Sequence, residues 1–220
     1  GVRAINLRDD DQVVSVALSN GNCEIFLANR NGRCVRFNEQ DVRPMGRTAT
    51  GVRGIRLDDD PNDKVVGMVV HRLKNSDETI LVISEKGYGK RSLIDDYRIT
   101  KRGAKGVKTI NVTDKTGQLI DIRAVEDEDN IMIINKSGVA IRLSMEQVRV
   151  MGRATQGVKM IDLNKRSDEI ASICNVVAEE EEPELIDEAD LDDPSEFVPQ
   201  EEDLQGSDSD EELEVNDDQE

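Results

Sequence analysis

Gly51-Val52-Arg53-Gly54-Ile55-Arg56-Leu57 is one copy of a seven-residue phrase that the chain writes four times. The other copies are Gly1-Val2-Arg3-Ala4-Ile5-Asn6-Leu7, Gly106-Val107-Lys108-Thr109-Ile110-Asn111-Val112 and Gly157-Val158-Lys159-Met160-Ile161-Asp162-Leu163. The copies therefore begin at Gly1, Gly51, Gly106 and Gly157. A period near fifty suits one supersecondary unit of a propeller or solenoid.

Outward from this phrase a second landmark recurs. Asn31-Gly32, Lys86-Gly87 and Ser137-Gly138 each stand between two β-rich runs, as hairpin turns do. The interval from turn glycine to the next Gly-Val phrase is the same in all three cases, Gly32 to Gly51, Gly87 to Gly106 and Gly138 to Gly157. The period varies only between the phrase and the next turn, where acidic loops such as Asp58-Asp59-Asp60-Pro61 fall. Val13 to Leu18, Val65 to Val70, Leu119 to Val125 and Glu169 to Val177 are β-branched runs about one strand long. The body shows no helical periodicity of useful length. An all-β fold follows, with propeller-like blades of about four strands each. Residues 1–177 would hold about three blades and the start of another, each burying its neighbour's face.

Aligned on the turn glycine, the three full units show four all-basic columns. Four residues after it stand Arg36, Arg91 and Arg142, and eleven after it Arg43, Arg98 and Arg149. Fifteen after it stand Arg47, Arg102 and Arg153, and twenty-one after it Arg53, Lys108 and Lys159. Bases are about a sixth of the body, so chance alone does not supply four such columns. Ten of the twelve are Arg, whose planar fork matches phosphate oxygens. A single column could equally tie loops to carbonyls or to a neighbouring blade's carboxylates. The column at fifteen, directly before the Gly-Val phrase, is the one best suited to that structural role. The column at four follows a hairpin turn on an alternating strand and is expected to project into solvent. Taken together, the columns favour the phosphates of duplex nucleic acid, held by charge and bent rather than read base by base.

Composition narrows the classes further. The 47 acids divide into 22 after residue 177 and 25 before it, where all 29 bases lie. The body is therefore mildly basic, at +4, and residues 178–220 form a polyanionic tail expected to be disordered. That tail is either a solubilising end or a competitor of DNA for the basic rim. The chain has no Trp, two Tyr and three Phe, which argues against base-stacking platforms. No apolar run approaches the roughly 20 residues of a membrane span, so no membrane association is expected. Cys23, Cys34 and Cys174 lack metal-type spacing and fit a reduced, cytosolic compartment. The start at Gly-Val-Arg, without Met, suggests a piece of a longer protein.

The repeated Arg-x-Ala/Thr-x-Gly-Val-x-x-Ile-x-Leu/Val pattern, preceded by Val42-Arg43-Pro44-Met45-Gly46-Arg47 and Val148-Arg149-Val150-Met151-Gly152-Arg153, resembles the C-terminal domain of the bacterial DNA gyrase A protein. The resemblance covers residues 1 to about 177 and extends to the acidic end. It implies a β-pinwheel, a propeller-like ring of about six blades that wraps duplex DNA on its rim, of which this chain holds the later half. It implies non-specific DNA wrapping within a type IIA topoisomerase, with ATP-dependent supercoiling by the whole enzyme. ATP and Mg²⁺, the gyrase B protein and a second gyrase A protein would all be engaged by other regions, in the bacterial cytoplasm on the chromosome. The family's Gln-Arg-Arg-Gly-Gly-type box, which separates gyrase from topoisomerase IV, is not in this sequence and would lie upstream. The alternatives are therefore the C-terminal domain of the corresponding topoisomerase IV protein and, from another class, a non-enzymatic propeller that docks proteins.

No residue of this chain is expected to be catalytic. Tyr88 and Tyr97 do not stand in the family's cleavage-tyrosine context, and His71 is the only histidine. Asp9-Asp10-Asp11 and Asp58-Asp59-Asp60 lack calcium-loop spacing and are expected as solvated turns, with no metal site. Gly87-Tyr88-Gly89-Lys90 is a hairpin turn rather than a phosphate loop, since no helix follows. Met45 and Met151 are expected to pack between blades.

Overall fold

The computed structural model describes residues 1–73, 77–163 and 168–176. Its strands are β1 (Cys23–Asn29), β2 (Arg33–Asn38), β3 (Val65–Arg72), β4 (Thr79–Ser84), β5 (Tyr88–Leu93) and β6 (Val107–Lys108). They continue with β7 (Leu119–Val125), β8 (Asn130–Asn135), β9 (Ala140–Ser144), β10 (Val158–Lys159) and β11 (Ile170–Val176). The only helices among the described residues are three single 3-10 turns, Glu39–Asp41, Ile94–Asp96 and Met145–Gln147. The acidic tail of residues 178–220, expected to be disordered, lies outside the described residues. No helix among the described residues is long and apolar enough to cross a membrane.

The strands form three antiparallel sheets, ordered β3-β1-β2-β6, β10-β5-β4-β7 and β11-β8-β9. Each is built on one of the three hairpins, β1–β2, β4–β5 and β8–β9, which turn at Gly32, Gly87 and Gly138 as the sequence predicts. The next long strand, β3, β7 or β11, returns to pair with the first strand of that hairpin. The fourth strand is the surprise: it comes from the following period. β6 pairs with β2 through Cys34↔Val107, and β10 pairs with β5 through Val158↔Gly89. Each of the first two sheets is thus three strands of its own and one two-residue strand lent by its successor, and the third has three strands among the described residues.

That exchange explains the constant interval between turn glycine and phrase. For the intervals that begin at Gly87 and Gly138, the turn glycine sits in one sheet and the Gly-Val phrase that follows it is anchored to the sheet before, so both ends are held. The contacts are tight enough to demand glycine. Gly157 has φ 80°, and a Cβ there would stand 2.6 Å from the Gly89 carbonyl oxygen. Gly87 also has φ 80°, and its Cβ would stand 2.7 Å from the Ile161 carbonyl oxygen. Both dihedral freedom and the missing side chain are needed at these two positions. The same register repeats along the chain: the amides of Asn6, Arg56 and Asn111 donate to the carbonyls of Ala49, Ala104 and Thr155 at 3.1, 2.9 and 3.0 Å.

Burial follows from position in this series. β4 is buried throughout, with Ile80 and Val82 in a core shared with Phe26, Tyr97 and Ile110, and Leu81 and Ile83 in a second core with Ile131, Ile133 and Val148. Alternate residues of one strand therefore feed two cores, which is why Ile80, Leu81, Val82 and Ile83 read as a continuous apolar run rather than an alternation. Each fully buried aliphatic side chain there contributes about 1.5–3 kcal/mol.

Two expectations are corrected. Residues 13–18 form no strand; Val16 is 83% exposed and Leu18 87%. Their counterparts β3, β7 and β11 each pair with the first strand of the hairpin before them, and no such hairpin precedes residues 13–18 within residues 1–220. A β-branched run without a partner strand has nothing to satisfy its backbone and stays irregular. Met45 and Met151 are not core residues either: Met45 is exposed and Met151 half-buried, while Met145 is the methionine buried between sheets.

Candidate nucleic-acid interface

The four basic columns separate into two pairs once folded. The column at four turns inward at two of its three positions. Arg36 is 9% exposed; its Nε donates to Glu24 Oε2 at 2.7 Å and its Nη1 to the carbonyls of Ile94 and Tyr97 at 2.8 and 2.9 Å. Its guanidinium carbon also lies 5.5 Å from the Phe26 ring centroid, within cation–π range. Arg91 is 4% exposed; its Nε donates to the Val148 carbonyl at 2.9 Å and its Nη1 pairs with Asp127. In both cases an acceptor is the carbonyl at the same position past the next turn glycine, Tyr97 after Gly87 and Val148 after Gly138. The expected projection into solvent is therefore wrong for Arg36 and Arg91, whose strand runs beneath the next unit's loop: Thr100 and Met151 donate their amides to the Arg36 and Arg91 carbonyls at 2.7 and 2.8 Å. Arg142, which has no such loop over it among the described residues, is exposed.

The column at fifteen also binds backbone, but reaches the other way. Arg102 donates from Nε to the Asp41 carbonyl at 3.0 Å and from Nη1 to the Arg53 carbonyl at 3.2 Å. Arg153 repeats this with Asp96 and Lys108, at 3.0 and 2.9 Å. Both are half-buried, whereas Arg47 is exposed and has no partner among the described residues. Arg102 and Arg153 thus make contacts of the structural kind anticipated for this column, and Arg47 makes none among the described residues.

The remaining two columns face solvent. Arg43, Arg98 and Arg149 are all exposed and have no side-chain partner among the described residues. Arg98 follows buried Tyr97, and Arg149 follows buried Val148, so alternation along an extended segment points each outward. Arg53, Lys108 and Lys159 are exposed as well. Lys108 reaches Asn111 at 3.1 Å and Lys159 pairs with Asp162 at 3.2 Å, both weak local contacts at the surface. Arg102 and Arg153 bond the backbone of the segments that carry both solvent-facing columns, so these columns are held side by side in successive units.

Other sequence candidates find structural places. Asp58 is not simply a solvated turn residue: it pairs with Lys105 at 2.6 Å and lies 3.9 Å from Arg33. The Lys105 hydrogen bond holds its carboxyl below the usual range. His71 is buried with Nδ1 2.6 Å from Glu78 Oε2. Tyr97 is buried with its hydroxyl 2.6 Å from Thr109 Oγ1, and burial pushes its pKa up. Among the described residues, no three His, Cys, Asp or Glu side chains gather in a group that could hold a metal ion.

Sequence reasoning read Lys90 only as part of a hairpin turn, whereas it lies within β5. This side chain is fully buried, and its Nζ donates to Ser92 Oγ at 3.1 Å and to the Gly152 carbonyl at 2.8 Å. Burial pushes its pKa down to about 8, with Asp96 partly opposing and Arg153 assisting. Its column held the signal: at the equivalent position after the turn glycine, the other two units have Val35 and Ile141. A cation in an otherwise apolar column marks a buried charge.

Comparison with known proteins agrees with the sheet architecture. A family profile described as the DNA gyrase C-terminal domain, a β-propeller, matches residues 1–20, 24–72, 78–126 and 129–174. Three of these segments run from a hairpin's first strand to the long strand that returns to it, which is the physical unit of each sheet. The DNA gyrase A protein of Ureaplasma parvum serovar 3 is 48% identical over 173 residues, 79% of this chain and 20% of that protein. Its counterpart in Staphylococcus aureus strain MRSA252 is 40% identical over 188 residues, 86% of this chain and 21% of that protein. The chain spans about a fifth of the length of these curated relatives. A solved DNA gyrase A C-terminal domain superposes with a TM-score of 0.71 at 29% identity, covering 80% of this chain and 58% of that one. The C-terminal domain of DNA topoisomerase IV gives 0.72 at 26% identity, covering 80% and 53%.

Proposed function

Since this chain belongs to the DNA gyrase C-terminal domain family of β-propellers, we propose that residues 1–177 bind and bend duplex DNA through its backbone, without sequence preference. The observation that carries the reading is the pair of solvent-facing columns, Arg43, Arg98, Arg149 and Arg53, Lys108, Lys159, set at one register in three successive units. Cations so repeated suit the phosphates along a curved duplex, the part of a DNA contact that carries no sequence information.

In the whole protein the reading is the A component of DNA gyrase, acting with the B component and a second A copy in ATP-dependent supercoiling in the bacterial cytoplasm. ATP and Mg²⁺ are then engaged by regions outside residues 1–220. Support for gyrase over topoisomerase IV is the identity of 48% and 40% to gyrase A proteins. The 22 carboxylates of residues 178–220 would compete with DNA for the same cations.

The test is a salt titration of the full chain with mixed-sequence duplex DNA. Affinity should fall steeply with salt, and changing Arg43, Arg98 and Arg149 to Ala should flatten the log–log slope by roughly 0.9 for each phosphate no longer neutralised. A flat salt response refutes the reading and leaves a protein-docking propeller in its place; a strong preference for one sequence refutes contact through the backbone alone. Deleting 178–220 should tighten binding most at low salt; equal affinities there would assign the tail to solubility alone.

A further inference from the structure

Arg102 and Arg153 make the same pair of bonds at the same repeat positions. In each, Nε takes the carbonyl that ends the preceding unit's 3-10 turn, and Nη1 takes the carbonyl of the third residue in the Gly-Val phrase after it. The first carbonyl, of Asp41 or Asp96, lies just before the exposed Arg43 or Arg98. The second belongs to the exposed cation itself, Arg53 or Lys108. One guanidinium from the next unit therefore staples together the two backbone segments that carry the two exposed cations of the unit before. No strand pairing joins Asp41 to Arg53, or Asp96 to Lys108, directly.

Resting on the DNA-binding reading above, we infer that Arg102 and Arg153 are positioning residues, which fix the spacing of each exposed cation pair through its backbone instead of meeting phosphate themselves. The planar fork is what the task requires: two donors at a set separation bridge two carbonyls with little entropy left to lose. A lysine at the same place keeps the charge but offers a single ammonium head, which cannot hold both carbonyls in that geometry. The two roles therefore separate in an Arg-to-Lys exchange. A contact with DNA phosphate needs mainly the charge, and Lys108 and Lys159 stand where the first unit has Arg53; a staple needs the fork.

The test uses the full chain and mixed-sequence duplex DNA at low salt. Arg153→Lys is compared with wild type, with Arg98→Ala/Lys108→Ala, and with the three changes combined; the thermal midpoint reports on the global fold. Arg153→Lys should weaken binding roughly fivefold, within the coupling expected of one hydrogen-bond network, and add no further loss where Arg98 and Lys108 are already gone. Combined instead with Arg43→Ala/Arg53→Ala, whose staple is Arg102, its loss should simply add. Arg47→Lys, with no carbonyl partner among the described residues, controls for the exchange itself and should bind as wild type. Wild-type affinity for Arg153→Lys, or an equal loss in both backgrounds, overturns the inference.

A second measurement needs no DNA. Spin labels placed at 98 and 108 in an Arg98→Cys/Lys108→Cys/Cys174→Ser chain, in which Cys23 and Cys34 stay buried, should give a distance distribution that broadens on Arg153→Lys. An unchanged distribution overturns the staple. A wild-type chain that ignores DNA while the distribution still broadens refutes the proposed function and leaves the staple standing.

Discussion

The junction between the first and second hairpin units and the junction between the second and third use one backbone plan with different side chains. In each, a buried Arg reaches forward to the same carbonyl position past the next turn, and a half-buried Arg reaches back to two carbonyls. At the first junction Arg36 has the buried carboxylate of Glu24, and the Phe26 and Tyr97 rings meet edge-to-face at 5.5 Å. At the second, Thr79 replaces Glu24, Leu81 replaces Phe26 and Val148 replaces Tyr97. Arg91 turns instead to Asp127, which is 67% exposed, and Lys90 occupies an apolar position. Register is carried by backbone carbonyls, which every residue supplies, so the filling can change without moving the exposed columns.

That contrast ranks the outcomes of substitution. Arg36→Met leaves Glu24 buried without its partner and should cost about 3–5 kcal/mol, read from the denaturant midpoint. Arg91→Met should cost about 1–3 kcal/mol, because Asp127 is solvated when released and only the Val148 carbonyl is left unpaired. Equal losses would show that the second junction depends on its ion pair as much as the first does, and would break the comparison.

Lys90→Ile sharpens it from the other side. A lysine whose folded pKa is lowered to about 8 binds fewer protons folded than unfolded between that value and its ordinary pKa of 10.5, so wild-type stability rises with pH across that window. Below pH 8 the full burden of burying the charge is present. The Ile variant should therefore be more stable than wild type by about 1–3 kcal/mol at pH 7, as for a buried charge replaced by a packed apolar group, with the margin narrowing toward pH 10. Paired thermal melts at pH 7 and pH 10 decide this; a margin that widens with pH would mean the ammonium is net stabilising through Gly152.

Tyr97→Phe keeps the ring contact and removes the hydroxyl bond to Thr109, for an expected loss of about 1 kcal/mol in chemical denaturation. The smallest effect belongs to Arg142→Ala, in the same column as Arg36 and Arg91 but exposed, which should lie within about 0.5 kcal/mol of wild type. A large loss there would show that the column is structural in every unit.

Much of the fold was legible in the chain. Turn glycines at 32, 87 and 138, β-branched runs beside them and a constant interval to the next Gly-Val phrase are local signals, set by φ preference, side-chain branching and chain length. The same locality misled at residues 13–18, where strand propensity is present and the partner hairpin is not among residues 1–220. Propensity proposes a strand; pairing makes one.

For the candidate interface, sequence alone determined that cations recur at four positions per unit, because a repeat makes its columns visible by alignment. Only the tertiary structure decided which of them face solvent. Arg36 and Arg98 look equivalent as letters, yet the second unit's loop lies over Arg36 and leaves Arg98 outside. Burial of a charged side chain depends on what the neighbouring unit brings against it. Arg36 meets Ile94 and Tyr97 across more than one full period, so no single period contains the contact. Composition and spacing are properties of the chain; the division between staple and surface is a property of the junction.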